Sequence, residues 1–206
     1  AAIMKRILMM MVLAWSPMAA AGEALELYLG DFEGTNEQRF AYKFNVVSPS
    51  TTVVLEEIAP FLEVDEGDRL EYAVYQSTGV DLWTAVYRSG VRNVGEDAET
   101  YVASDALDVV LEADQTYAVG FHIRNQDVRY YYATGLDLPA GLDGVGTADG
   151  AVWVTDEGAE ELGDEFEDDI DTGTLYVMRL KIVVPADNDG DGFDSTVDCN
   201  DEDATV

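Results

Sequence analysis

With 206 residues, 48% of them hydrophobic, the chain has the size and apolar content of one packed domain with appended segments. Eleven basic residues stand against 42 acidic ones, a formal net charge of −31, which excludes the basic footprint that nucleic acid requires and disfavours an anionic membrane surface. Acidity on this scale fits a solvated, self-repelling surface outside the cell and a capacity for cations.

The first segment differs in composition from the rest. Lys5 and Arg6 precede an apolar run over residues 7–15 and the small residues Ala19, Ala20 and Ala21, the three parts of a secretory signal peptide spanning residues 1–21, with cleavage expected before Gly22. Five of the six methionines (Met4, Met9, Met10, Met11 and Met18) lie here, and Met4 reads as the initiator. The apolar run is short for a bilayer span. An uncleaved anchor is the competing reading, but the mature chain is expected to have no transmembrane helix and to be secreted or held at the cell surface. Loss of this segment leaves nine basic residues against 42 acidic, or −33.

Residues 22–184 alternate apolar and polar positions between turn signals, the pattern of half-buried strands. Strands are expected at 40–47, 51–55, 58–64, 69–76, 82–88, 101–103, 107–111, 116–124, 128–134, 151–155 and 174–184. Ser48-Pro49-Ser50, Glu66-Gly67-Asp68, Ala113-Asp114-Gln115 and the glycine-rich stretch 141–150 supply turns between them. No window of helical length has an apolar stripe, so the fold class expected is all-β: an antiparallel β-sandwich, jelly-roll or immunoglobulin-like, of two packed sheets.

Within 116–124, Tyr117, Val119, Phe121 and Ile123 share one face, and His122, the only histidine, falls on the more polar one. A lone histidine cannot build a multi-histidine metal site, and a surface or packing role is expected for it. Arg129-Tyr130-Tyr131-Tyr132 must send Tyr131 to the face opposite Tyr130 and Tyr132. With Trp83, Tyr87 and Trp153 these tyrosines either complete the core and its cross-strand pairs or form an aromatic platform for a sugar ring. The phrase LEADQTYAVGFHI, residues 111–123, resembles secreted jelly-roll modules, carbohydrate-binding ones among them. That resemblance implies a non-catalytic binding or structural role.

Residues 155–171 hold ten acidic side chains in seventeen, with Leu162, Phe166 and Ile170 spaced to allow a short amphipathic helix in an otherwise solvated loop. The run 175–184 reads as the last core strand, ended by Val184-Pro185-Ala186.

The tail, residues 185–206, contains DNDGDGFDSTVD. Asp187, Asp189 and Asp191 take positions one, three and five of a twelve-residue calcium loop, Gly192 the sharp turn at six, and Asp198 the twelfth. The Phe193 carbonyl supplies a seventh-position ligand and Ser195 a ninth, directly or through water. A hard cation with six to eight oxygen ligands needs such converging carboxylates, so Ca2+ is the expected ion. Asp194 at position eight, and a strand with Pro185 in place of an entering helix, depart from a helix-loop-helix hand. The motif resembles the thrombospondin type-3-like calcium repeat and related repeats of bacterial secreted proteins, through residues 187–192 and Asp198-Cys199-Asn200-Asp201. The resemblance implies a truncated array, with Asn200, Asp201 and Asp203 beginning a further site and Cys199 pairing beyond Val206 or on another chain.

Three function classes follow. The first is a non-enzymatic extracellular module that binds calcium and a surface glycan or neighbouring protein. The second is a carbohydrate-binding module of a larger secreted enzyme, and the third a glycosidase. The sequence offers no nucleophile elbow, phosphate loop or zinc signature, so no catalytic residue is assigned.

Overall fold

A computed structural model describes residues 23–124, 127–154 and 163–185. Among them there is no helix, and therefore none long and apolar enough to cross a membrane. The elements are β1 (Glu23–Leu29), β2 (Gly34–Gln38), β3 (Ala41–Pro49), β4 (Val53–Val64), β5 (Arg69–Ser77), β6 (Leu82–Asn93), β7 (Ala98–Tyr101) and β8 (Val109–Leu111). They continue with β9 (Tyr117–Ile123), β10 (Val128–Thr134), β11 (Ala140–Gly141), β12 (Gly146–Val154), β13 (Glu165–Glu167), β14 (Thr174–Tyr176) and β15 (Met178–Val184).

These strands form two antiparallel sheets, the arrangement of a β-sandwich. One sheet runs β1-β15-β4-β10-β14, with β2 on β10 and both β7 and β8 on β4; the other runs β11-β12-β3-β9-β5-β6-β13. The long β4 organises the first sheet. Its start pairs with β8 and β15, and its end with β7 and β10. The chain's first and last described strands lie side by side, with Glu23 opposite Val184.

Apolar side chains from both sheets meet between them, among them Leu55, Ile58 and Leu62 of β4, Leu70 and Tyr72 of β5, and Val119 and Phe121 of β9. Burial of this surface is the main favourable term in the fold. A second, smaller core lies on the outer face of the other sheet. Tyr42, Phe44, Val46, Ala73, Tyr75, Trp83, Ala118 and Val152 gather there, with Phe166 packed against them. Phe166 stacks at 15° on both Phe44 and Trp83, with centroids 6.0 and 6.1 Å away. β9 is consequently buried along its whole length, as a strand covered on both faces must be.

The second core corrects two expectations. The segment around Phe166 is a strand, not a turn of helix: β13 pairs with β6 so that Phe166 stands directly opposite Trp83. Flat pairing on an existing sheet satisfies its backbone and buries its one aromatic ring, which a short, highly charged helix would have to do alone. His122 lies on the face the alternation assigns, but that face is covered and the residue is fully buried. Strand boundaries also move. β1, β2 and β11 are additional, 51–55 and 58–64 join in the single β4, 174–184 divides into β14 on β10 and β15 between β1 and β4, β7 ends at 101 where a strand was expected to begin, and β12 begins inside the glycine-rich stretch.

Candidate binding cleft

Alternation along β10 sends Tyr130, Tyr132 and Thr134 to one face, and the strands beside it bring polar partners to the same face. Asn36 of β2 is opposite Tyr130, Tyr176 of β14 is opposite Tyr132, and Thr174 is opposite Thr134. From the other sheet, β3 and β12 place Lys43 directly opposite Trp153. These residues, with Gln38 and Asp171, line an open cavity of about 380 Å³ between the edges of the two sheets. That volume suits a small-molecule site.

Each wall is held in place by the backbone around it. Asn45 bridges the sheets: its Nδ2 donates to the Tyr176 carbonyl at 2.9 Å, and the Tyr176 N–H donates back to Oδ1 at 2.8 Å. Both sides of a buried amide are thereby satisfied and Tyr176 is fixed. Gly34 lies under the Tyr132 ring, where a Cβ would come within 2.8 Å of a ring atom. Gly150, with φ near +150° at the bulge in β12, leaves room for the Asp171 carbonyl, which a Cβ would meet at 2.3 Å. Asp171 and Ala151 then exchange backbone hydrogen bonds. The carboxylate of Asp171 accepts from the Gly173 N–H at 2.8 Å and from Thr174 Oγ1 at 3.1 Å.

The rings meet at steep angles. Tyr130 and Tyr176 are 5.7 Å apart at 73°, Trp153 and Tyr176 6.4 Å apart at 86°, and Tyr130 and Tyr132 6.1 Å apart at 42°. Three ring faces surround the Lys43 ammonium, whose Nζ lies 4.8 Å from the Tyr130 centroid, 5.7 Å from Tyr176 and 5.9 Å from Trp153. Such contacts offset part of the desolvation of a cation that is 1% exposed. The Tyr130 hydroxyl donates to Gln38 Oε1 at 2.9 Å. Burial, followed by the neighbouring Tyr130 and Asp171, pushes the Tyr176 hydroxyl well above the ordinary phenol range, so it remains a neutral donor at physiological pH.

The cleft takes up part of the expected aromatic platform. Tyr130, Tyr132 and Trp153 line it, and Tyr131 points to the opposite face as alternation requires. Trp83 and Tyr87 do not join them: Trp83 is 1% exposed in the second core, and Tyr87 packs partly buried against the main one. Lys43, Asn36, Gln38, Thr134, Asp171, Thr174 and Tyr176 were not foreseen. The available signal was Lys43 and Asn45 on the same face of a strand bounded by apolar residues.

Two other clusters stand apart from the cleft. On the outer face of the first sheet, exposed Tyr28 and Phe32 pack on Phe61, Tyr101 and Tyr131, with neighbouring rings at 67° to 90°. They present edges, not a common flat surface. On the other sheet, buried Glu71 accepts from Arg88 Nε at 2.8 Å and faces Arg124 and His122 at 3.7 and 3.9 Å. Burial alone would raise the Glu71 carboxyl, but His122, Arg88 and Arg124 together hold it below its usual range.

The expected calcium ligands Asp187, Asp189, Asp191, Phe193, Ser195 and Asp198 lie outside the described residues. Among the described residues no three histidine, cysteine, aspartate or glutamate side chains converge as a metal site would require. No protein-family model, curated protein or solved structure matches the chain.

Proposed function

We propose that this chain is a non-enzymatic extracellular module that binds a saccharide in the cleft, with its acidic tail holding calcium. The observation that carries the first part is the cleft itself: four aromatic rings with hydroxyl and amide groups at their edges. Sugars present an apolar ring face and a polar hydroxyl periphery, and such walls answer both at once. Asp171 is the one carboxylate among the lining residues, whereas glycoside hydrolysis ordinarily uses two. Binding is therefore preferred to cleavage. A jelly-roll arrangement of the strands, export by residues 1–21 and the calcium repeat belong to the same reading and rest on the sequence.

The test is a calorimetric titration of the full chain with a panel of neutral and acidic oligosaccharides, beside the Trp153→Ala variant. The expected result is saturable binding of at least one glycan, weakened about tenfold or more when the indole is removed, since a few buried aromatic contacts dominate such sites. Affinity unchanged in Trp153→Ala, or no glycan bound by a folded wild-type chain, rejects the reading.

A further inference from the structure

We infer that the cleft selects an acidic saccharide, one whose pyranose ring bears a carboxylate, and that Lys43 is the residue that recognises it. The inference rests on the saccharide reading of the same cleft. The chain has three lysines against 42 acidic residues. Of the two that are described, Lys181 lies near the surface on Glu56, while Lys43 is 1% exposed at the floor of the cleft. Among the lining residues it is the one cation.

A buried ammonium carries a desolvation cost that an apolar side chain of similar length would not, and the three ring contacts offset only part of it. A neutral sugar gives no reason to keep the charge there. An acidic one does: the acidic surface of this chain repels anions, and Lys43 is the one lining group that attracts a carboxylate, the Asp171 carboxylate being taken up by the Gly173 N–H and Thr174 Oγ1. An ammonium carries three N–H donors, so a partner within the protein and a ligand carboxylate can be served together. The geometry suits a hexuronate. Its ring faces are apolar enough to meet Trp153 and Tyr132, while its carboxylate projects from the ring edge, where Lys43 lies among the Tyr130, Tyr176 and Trp153 rings. The low dielectric of this enclosure strengthens the charge pair beyond what an exposed lysine would provide.

The experiment compares oligosaccharides of galacturonate, glucuronate and mannuronate with their methyl esters, which keep the ring and remove the charge. Titrations use the full wild-type chain, Lys43→Met and Trp153→Ala, each checked for folding by circular dichroism. Expected is an acid-over-ester preference of about tenfold or more in the wild type, abolished in Lys43→Met and retained, at weaker affinity, in Trp153→Ala. Equal affinity for acid and ester in the wild type overturns the inference while leaving the saccharide reading intact. No binding of either by a folded chain overturns both. Should Lys43→Met not fold, the wild-type ratio of acid to ester decides alone.

Discussion

Asp68 is 1% exposed at the turn before β5; its Oδ2 accepts from the Asp65 N–H at 2.8 Å, while its Oδ1 has no hydrogen-bond partner among the described residues. Burial raises this carboxyl most. The Asp65 backbone hydrogen bond opposes it, and the charges of Asp65, Asp127 and Asp97 add to the rise. A carboxyl whose folded pKa lies above its unfolded value destabilises the fold at higher pH. That cost is complete above the folded pKa and disappears below the unfolded value of about 3.9. Asp68→Asn, which keeps the acceptor and removes the charge, should therefore gain about 1 kcal/mol in urea unfolding near pH 7 and nothing at about pH 3. A loss near pH 7 would show that the ionised carboxylate is needed there. The same residue illustrates the limits of sequence reading: Glu66-Gly67-Asp68 announces a turn, and Gly67 takes it with φ +92°. Whether a turn carboxylate faces water or the interior depends on what packs against the turn, and here it is the loop between β6 and β7, through Val94 and Asp97.

At the scale of elements, β13 is three residues long, and its hold on the sheet depends on Phe166. Truncation to Phe166→Ala is expected to lose about 3 kcal/mol, the usual cost of deleting a packed aromatic ring. It should also shift Trp83 fluorescence toward that of a solvated indole. Ile170→Ala, at a residue that is 38% exposed, should stay within about 0.5 kcal/mol of wild type. Comparable losses in both variants would mean that the acidic stretch is held by its whole length and not by one ring. Period-two alternation was enough to place β5, β9 and β10, because each carries its own apolar face, but the polar pair Glu56-Glu57 interrupts it in β4, which was expected as two strands and is one. It missed β2, whose GTNEQ has no apolar residue at all and which is a strand only because β10 offers it a hydrogen-bonding edge. It also obscured the facing of β3. Tyr42, Phe44 and Val46 point to the outer core, so the apparently polar side with Lys43 and Asn45 is the one turned inward.

At the scale of the whole molecule, the all-β class and two antiparallel sheets follow from the spacing of turns and the lack of any helical stripe. The cleft does not, since Asn36, Lys43, Tyr130, Trp153 and Tyr176 come from five strands and meet only through pairings between distant parts of the chain. The tail is the reverse case, where spacing within a dozen residues carries the whole argument. The calcium proposal is tested by titrating the full chain beside the Asp187→Ala/Asp189→Ala double variant, with magnesium as control. Saturable calcium binding that the variant loses is expected, because alternate carboxylates of a tight loop converge on one ion. Identical behaviour of the two chains would reject it.

The pairing of β1 with β15 also sets how the fold would bear load. Because Glu23 and Val184 are partners at the same end of an antiparallel ladder, a pull applied between them meets the cross-strand hydrogen bonds one after another instead of all at once. Such a ladder opens like a zipper, at low force, from Glu23↔Val184 toward Leu29↔Met178. Tethered by both ends, the domain would extend gradually from this seam and act as a compliant spring, its opposite edge still folded.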